Sequence, residues 1–212
     1  MYDFSKVIEK SPPQLEFEDF FTSLKSLCAV RKGKPGQKFN LEQSDKRLCF
    51  ILFSGTGLVK RVNDSLVLST IHGPCIVGLQ DIFHVKSDVQ VSSTSEVEYS
   101  LVVASDLFSW AEEKGLWKNM CYMLMLSSTR FSEYQKETVG VSNYELICNL
   151  LYSLNKESFE IRATTTALEY IQTRSMLSRS GIMKTLSSLR IGGYITISKG
   201  LLIKINSLPK KF

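Results

Sequence analysis

The stretch Leu177-Ser-Arg-Ser-Gly-Ile-Met-Lys-Thr-Leu-Ser-Ser-Leu-Arg-Ile-Gly-Gly-Tyr-Ile195 decides how the rest of the chain is read. Ile182, Leu186 and Leu189 fall at i, i+4 and i+7, which puts them on one face of a helix. Ser178 stands where an N-cap belongs, and Gly192-Gly193 follows the last periodic residues as a stop signal. The opposite face carries Arg179, Ser180, Met183, Lys184 and Ser187 with no carboxylate among them. A short helix with small and cationic first turns suits a DNA major groove. Upstream, residues 165–172 read as another helix and Thr173-Arg174-Ser175 as the break between the two, which makes a helix-turn-helix. Downstream, the β-branched runs 194–198 and 201–205 flank the turn Ser198-Lys199-Gly200, which predicts a hairpin, or wing.

A helical hairpin on a ribbon with no DNA role would fit the same pattern, and charge separates the two readings. Residues 140–212 carry ten Lys/Arg against four Asp/Glu, and residues 1–139 carry sixteen against seventeen. The whole formal charge of +5 therefore sits in the last third, and beyond Glu169 there are eight Lys/Arg and no acid. A one-signed field on a helix-turn-helix is the footprint of phosphate binding. Arg179, Ser180 and Lys184, with Ser178 and Met183 beside them, are expected to read or anchor in the major groove. Arg174, Arg190, Lys199 and Lys204 are expected on the phosphate backbone.

In chain order, a helix is expected around residues 13–26, then a turn at Gly33-Lys34-Pro35-Gly36. Residues 47–53 form an apolar, buried strand, and 58–62 and 66–71 flank a hairpin turn at Asn63-Asp64-Ser65. A break at Gly73-Pro74 precedes Ile76-Val77-Gly78 and Asp81-Ile82-Phe83, while Val97, Tyr99, Leu101 and Val103 alternate as a half-buried strand. Many short strands with regular turns imply a small antiparallel barrel or sandwich. A short helix at 107–114 ends at Gly115, and residues 116–138 hold no Gly or Pro, which predicts one long helix. Met120, Met123, Phe131 and Tyr134 lie near one stripe of it, read as a seam with a second copy of the chain. Ser142 caps a further helix to about Asn155. The division expected is a sensor-like domain over 1–115, a dimerisation helix over 116–139 and a DNA-binding domain over 140–212.

This order of elements resembles the Crp/Fnr superfamily of bacterial transcription regulators, and within it the IprA-like branch. The resemblance covers nearly the whole chain. It rests most on Ser178-Arg179 opening the recognition helix, Lys184 five residues on, and Gly193-Tyr194-Ile195 leading into the wing, with Gly55, Gly57, Gly73-Pro74 and Gly78 punctuating the strands. It implies an α+β fold: an N-terminal double-stranded β-helix like a cyclic-nucleotide-binding β-roll, a long dimerisation helix and a C-terminal winged helix-turn-helix. It also implies that Arg179, Ser180 and Lys184 face base edges or nearby phosphates. The partners it implies are double-stranded DNA with an inverted-repeat operator, a second copy of the chain, and RNA polymerase.

The sensor half departs from that pattern. Cyclic-nucleotide members hold ribose and cyclic phosphate with a Glu soon after a Gly and an Arg-Ser pair beyond it. Here Gly78 leads into residues 79–87 with no arginine between Arg61 and Arg130, and Lys86 offers a point charge rather than a planar fork. Cyclic-nucleotide binding is not expected. An iron–sulfur cluster needs four clustered thiolates, but the first forty residues hold only Cys28, and His72 and His84 are poor grounds for haem. No cofactor is expected. The five cysteines are odd in number and scattered; Cys28, near Arg31, and Cys121, near Lys118, leave thiol sensing open beside a plain structural role. No phosphate loop, zinc-protease motif or nucleophile elbow is present, so no enzyme is expected. The opening residues lack the pattern of a signal peptide and no apolar run would span a bilayer, which predicts a cytoplasmic protein with no membrane contact. Two other functions fit the residues: a protein-interaction module, or a sensor of an unidentified small ligand, each with a degenerate DNA-binding domain.

Overall fold

The run Leu48–Phe53 shows no alternation, as expected of a strand covered on both faces. The computed structural model, which describes residues 14–79 and 87–209, gives that strand both covers. In order, the elements are α1 (Gln14–Leu27), β1 (Arg31–Gly33), β2 (Lys38–Asn40), β3 (Glu42–Gln43), β4 (Lys46–Ser54), β5 (Thr56–Arg61), β6 (Val67–His72), β7 (Cys75–Val77), β8 (Val89–Ser93) and β9 (Val97–Val103). Then come α2 (Ala104–Glu113), α3 (Trp117–Thr138), α4 (Asn143–Lys156), α5 (Phe159–Thr164), α6 (Ala167–Arg174), α7 (Arg179–Ile191), β10 (Ile195–Ser198) and β11 (Leu201–Ile205).

The chain divides into two compact units, one of Met1–Asp64 and Leu68–Arg130, the other of Ser65–Val67 and Phe131–Phe212. In the first, one sheet runs β1-β9-β4-β3 with β7 also on β4, and another runs β2-β8-β5-β6. Pairing is antiparallel, with Phe50 opposite Leu101 and Leu52 opposite Tyr99. Side-chain alternation splits β4 cleanly. Phe50 and Leu52 join Phe39, Val59, Ile71, Val91 and Tyr99 in the interior of the β-roll. Cys49, Ile51 and Phe53 face the other way, into a second core with Phe20, Phe21 and Leu24 of α1, Leu107 and Ala111 of α2, and Met120 and Met123 of α3. The β-roll interior is rich in aromatic rings: Phe39 lies 4.8 Å from Phe50 and 4.5 Å from Tyr99, centroid to centroid.

In the second unit α4, α6 and α7 enclose Ile147, Leu151, Leu154, Ile171, Ile182 and Leu189, closed on one side by Ile195 and Leu202 of the β10–β11 ribbon. Ser142 caps α4 with a full capping box, its hydroxyl accepting from the Glu145 amide while the Glu145 carboxylate accepts from its own. The structure corrects the sequence reading in three places. The first helix of the pair spans Ala167–Arg174, two residues later than expected, because Thr166 and not an earlier residue supplies the capping oxygen. The short helix α5 and the strand β8 had no clear periodicity and were not anticipated. Asp81-Ile82-Phe83, His84 and Lys86 lie outside the described residues.

Candidate nucleic-acid interface

Helix α7 is fixed at both ends by its own sequence. Ser178, extended at φ −68° and ψ 144°, turns its Oγ to accept the Gly181 N–H at 3.2 Å. At the other end the Tyr194 N–H bonds the Leu189 carbonyl and the Gly193 N–H bonds the Arg190 carbonyl, at 2.9 and 3.1 Å. This 6→1 and 5→2 pair is the Schellman stop, which needs a left-handed residue that Gly193 supplies at φ +72°. Ile182, Leu186 and Leu189 are buried, which forces the remaining faces outward. Ser178, Arg179, Ser180, Met183 and Lys184 are all exposed. The helix thus presents two cations, hydroxyls and a thioether on one open surface, with no acid along its length.

The wing is tied to this surface. Ser198 faces Leu201 across a two-residue turn in which Lys199 and Gly200 have φ of +49° and +85°, the geometry that matches strand twist in a tight hairpin. The Gly200 carbonyl accepts the Ala167 N–H at 2.9 Å, so the wing tip is anchored to the start of α6. A groove of about 510 Å³ runs between α6, the first turns of α7 and this tip, lined by Thr166, Glu169, Gln172, Arg179, Met183 and Gly200 among others. Glu169 and Gln172 were not foreseen there, because they belong to the preceding helix and only the fold brings them beside Arg179. Arg190, Lys199 and Lys204 are exposed.

Arg174 is different, and the expectation that it contacts phosphate is corrected. Its side chain is only 10% exposed and its guanidinium lies 3.6 Å above the Tyr170 ring, with Glu157 at 4.0 Å. Glu157 also accepts from the Tyr170 hydroxyl at 2.8 Å. Burial pushes the Tyr170 phenol well above its usual range, and the nearby Arg174 charge opposes that rise. Arg174 is an internal cation that joins α6 to the residue just beyond α4.

The stripe chosen on α3 is corrected in part. Met120 and Met123 are 2% and 6% exposed and belong to the core of the first unit, because α1 and α2 cover them. Tyr134 is half-buried. Phe131, at 61%, is exposed, and with Trp117, Cys121, Leu124, Ser128 and Gln135 it forms an exposed row spaced four and three residues apart. That spacing follows a heptad period, on a different face of the helix from the buried stripe. Of the thiols, Cys121 is exposed and Cys28 half-buried. Cys28 donates to the Leu24 carbonyl at 3.0 Å and burial pushes its thiol up, against a hydrogen bond with Ser100. Burial holds Cys75 at about 11.

A β-roll, a long helix and a winged helix-turn-helix, in that order, make up the fold of Crp/Fnr type. Residues 143–210 match the family model described as winged helix-turn-helix DNA binding. The fold is that of the c-di-GMP-responsive global regulator CLP of Xanthomonas campestris, at a TM-score of 0.72 and 13% identity over 90% of this chain and 100% of that one. It is also that of a putative Crp/Fnr-family transcriptional regulator of Eubacterium rectale, at 0.63 and 16% over 90% and 93%. By sequence the chain is similar to the "inhibitor of hydrogen peroxide resistance" of Escherichia coli K12, 29% identical over 77% of this chain and 79% of that protein. The protein of that name from Salmonella typhimurium is 26% identical over 85% and 91%. The likeness is thus to winged helix-turn-helix DNA-binding domains over residues 143–210, and to the fold of Crp/Fnr-family proteins over most of the chain. No helix among the described residues is long and apolar enough to cross a membrane.

Proposed function

We propose that the protein is a sequence-specific, homodimeric transcription regulator of the cytoplasm, working without a cyclic nucleotide. The observation that carries this reading is the outward face of α7, where Arg179, Ser180, Met183 and Lys184 stand exposed opposite the buried Ile182, Leu186 and Leu189. In this reading Arg179 and Lys184 meet guanine edges or phosphates, Ser178 and Ser180 make hydroxyl contacts, and Arg190 and Lys199 hold the backbone. The exposed row Trp117, Cys121, Leu124 and Phe131 supports a two-fold seam, and a two-fold protein reads an inverted repeat. The aromatic filling of the β-roll by Phe39, Phe50 and Tyr99 supports a regulator that does not hold a nucleotide there. RNA polymerase is the further partner this reading calls for.

Selecting bound fragments from genomic DNA with the full chain tests it. Enrichment of one inverted-repeat motif upstream of genes is expected, and the relatives' name makes peroxide-defence promoters the first to inspect. Binding should fall steeply with salt. Uniform recovery of all sequences refutes sequence-specific regulation.

A further inference from the structure

The exposed face of α7 has a restricted vocabulary, and that restriction says which bases it reads. A bidentate pair with adenine needs Asn or Gln, and acceptance from the cytosine amino group needs Asp or Glu. Helix α7, Arg-Ser-Gly-Ile-Met-Lys-Thr-Leu-Ser-Ser-Leu-Arg-Ile, contains none of the four. Its hydroxyls serve either kind of base. What discriminates is the cationic fork of Arg179, suited to guanine, and the apolar Met183, 44% exposed in the groove that Arg179 also lines; Ile191, the helix's other exposed apolar side chain, stands at its last residue, outside that groove. The two are four residues apart, on the same side of the helix.

We infer that Met183 is a specificity-determining residue that reads the C5-methyl of a thymine within about two base pairs of the guanine held by Arg179. The inference rests on the DNA-binding reading above. Four residues advance a helix by about 6 Å, and bases on one strand are about 3.4 Å apart, which sets that separation. An unbranched thioether is soft and adaptable enough to cover a methyl from more than one approach. The positions that α7 itself reads in each half-site are therefore guanine and thymine, while Glu169 and Gln172 of α6 line the same groove from the other side.

The test uses the full chain and its selected operator, with fluorescence anisotropy on duplexes in which each thymine in turn is replaced by deoxyuridine. Only the methyl group is removed. At one thymine per half-site the affinity should fall about fourfold, the equivalent of about 0.8 kcal/mol for one methyl group left in water. In Met183→Ala the same replacement should have no effect, whereas in Met183→Leu it should still cost affinity. Thermal unfolding checks that both variants fold. A uridine penalty unchanged in Met183→Ala, or abolished instead by alanine at Met176, the exposed methionine in the turn between α6 and α7, assigns the methyl to another residue and overturns the inference. Uridine tolerated everywhere, while 7-deazaguanine at the guanine still weakens binding, also overturns it and leaves sequence-specific binding standing. Salt-sensitive binding with no sequence preference removes the reading on which it rests.

Discussion

Replacing Arg174 by alanine separates an internal cation from a phosphate contact. The guanidinium lies over the Tyr170 ring and beside Glu157, with both charged side chains about 10% exposed. Removing one partner of such a pair leaves the other buried without compensation, at about 3–5 kcal/mol. Stacking over a desolvated ring adds about 2 kcal/mol at most. The 4.0 Å separation from Glu157 keeps the ionic part at the low end, and the Tyr170 hydroxyl still serves the carboxylate. The expected loss is therefore about 3 kcal/mol, confined to the second unit. For a domain of that size it lowers Tm by roughly 12 °C or more. The assay has a built-in control, because both tryptophans, Trp110 and Trp117, lie in the first unit. Their fluorescence should report unfolding near the wild-type temperature, while circular dichroism shows an early helical transition. The double variant Arg174→Met with Glu157→Gln, which removes both charges, should recover at least half of the loss. DNA binding at low temperature should keep the wild-type salt slope. A variant of unchanged stability whose salt slope is shallower by one unit refutes the internal role and returns Arg174 to the phosphate backbone.

Arg179→Ala should leave stability unchanged and weaken operator binding by about 1–3 kcal/mol, relaxing preference at one base per half-site; an equal loss on all sequences makes Arg179 a phosphate clamp instead. Lys199→Gly removes both a charge and a left-handed non-glycine residue at φ +49°. Stability should hold or rise by up to about 1 kcal/mol, while affinity falls alike for every sequence and the salt slope lessens by about one; an unchanged slope puts the wing off the DNA. Mild copper-catalysed oxidation should join two chains through Cys121, since equivalent positions on a parallel seam face each other. Phe131→Glu should prevent that crosslink and give monomers by sedimentation, and a wild-type monomer at micromolar concentration refutes the dimer. Finally, the raised thiol of Cys75 must be neutral in the folded chain, so its contribution is complete below the usual thiol range and is lost as pH rises through about 11. Stability followed by urea titration should decline from about pH 9 upward, and less so in Cys75→Ser; equal decline in both assigns the alkaline limb to other groups.

The recognition helix was legible because every signal that makes it is local: the cap at Ser178, the i, i+4, i+7 triplet and the glycine at the stop. The wing was legible for the same reason, since Lys199-Gly200 writes its own turn. What escaped depends on where other segments go. Arg174 reads as one more cation in a basic tail, and nothing local says that Glu157, seventeen residues earlier, and the Tyr170 ring will enclose it. Met120 and Met123 form an apolar stripe that is true to helix period, but the period does not say which partner covers it. The alternative row through Leu124 and Phe131 differs by a rotation of the same helix. Both stripes are present in the sequence; α1 and α2 decide between them.

Strand β4 is a wall one residue thick with a different room on each side. Phe50 and Leu52 belong to the barrel interior, while Cys49, Ile51 and Phe53, between and beside them on the same backbone, belong to the helical layer that holds Met120 and Met123. Such a partition transmits as well as separates. A shift of β4 by one residue would exchange the two linings wholesale, so its register is held from both directions and its amides should be among the last to exchange with solvent. A displacement that bows the strand outward moves its far side by the same amount, with no relay of intervening side chains. The barrel and the long helix thus share a diaphragm, and pressure on one side is felt on the other.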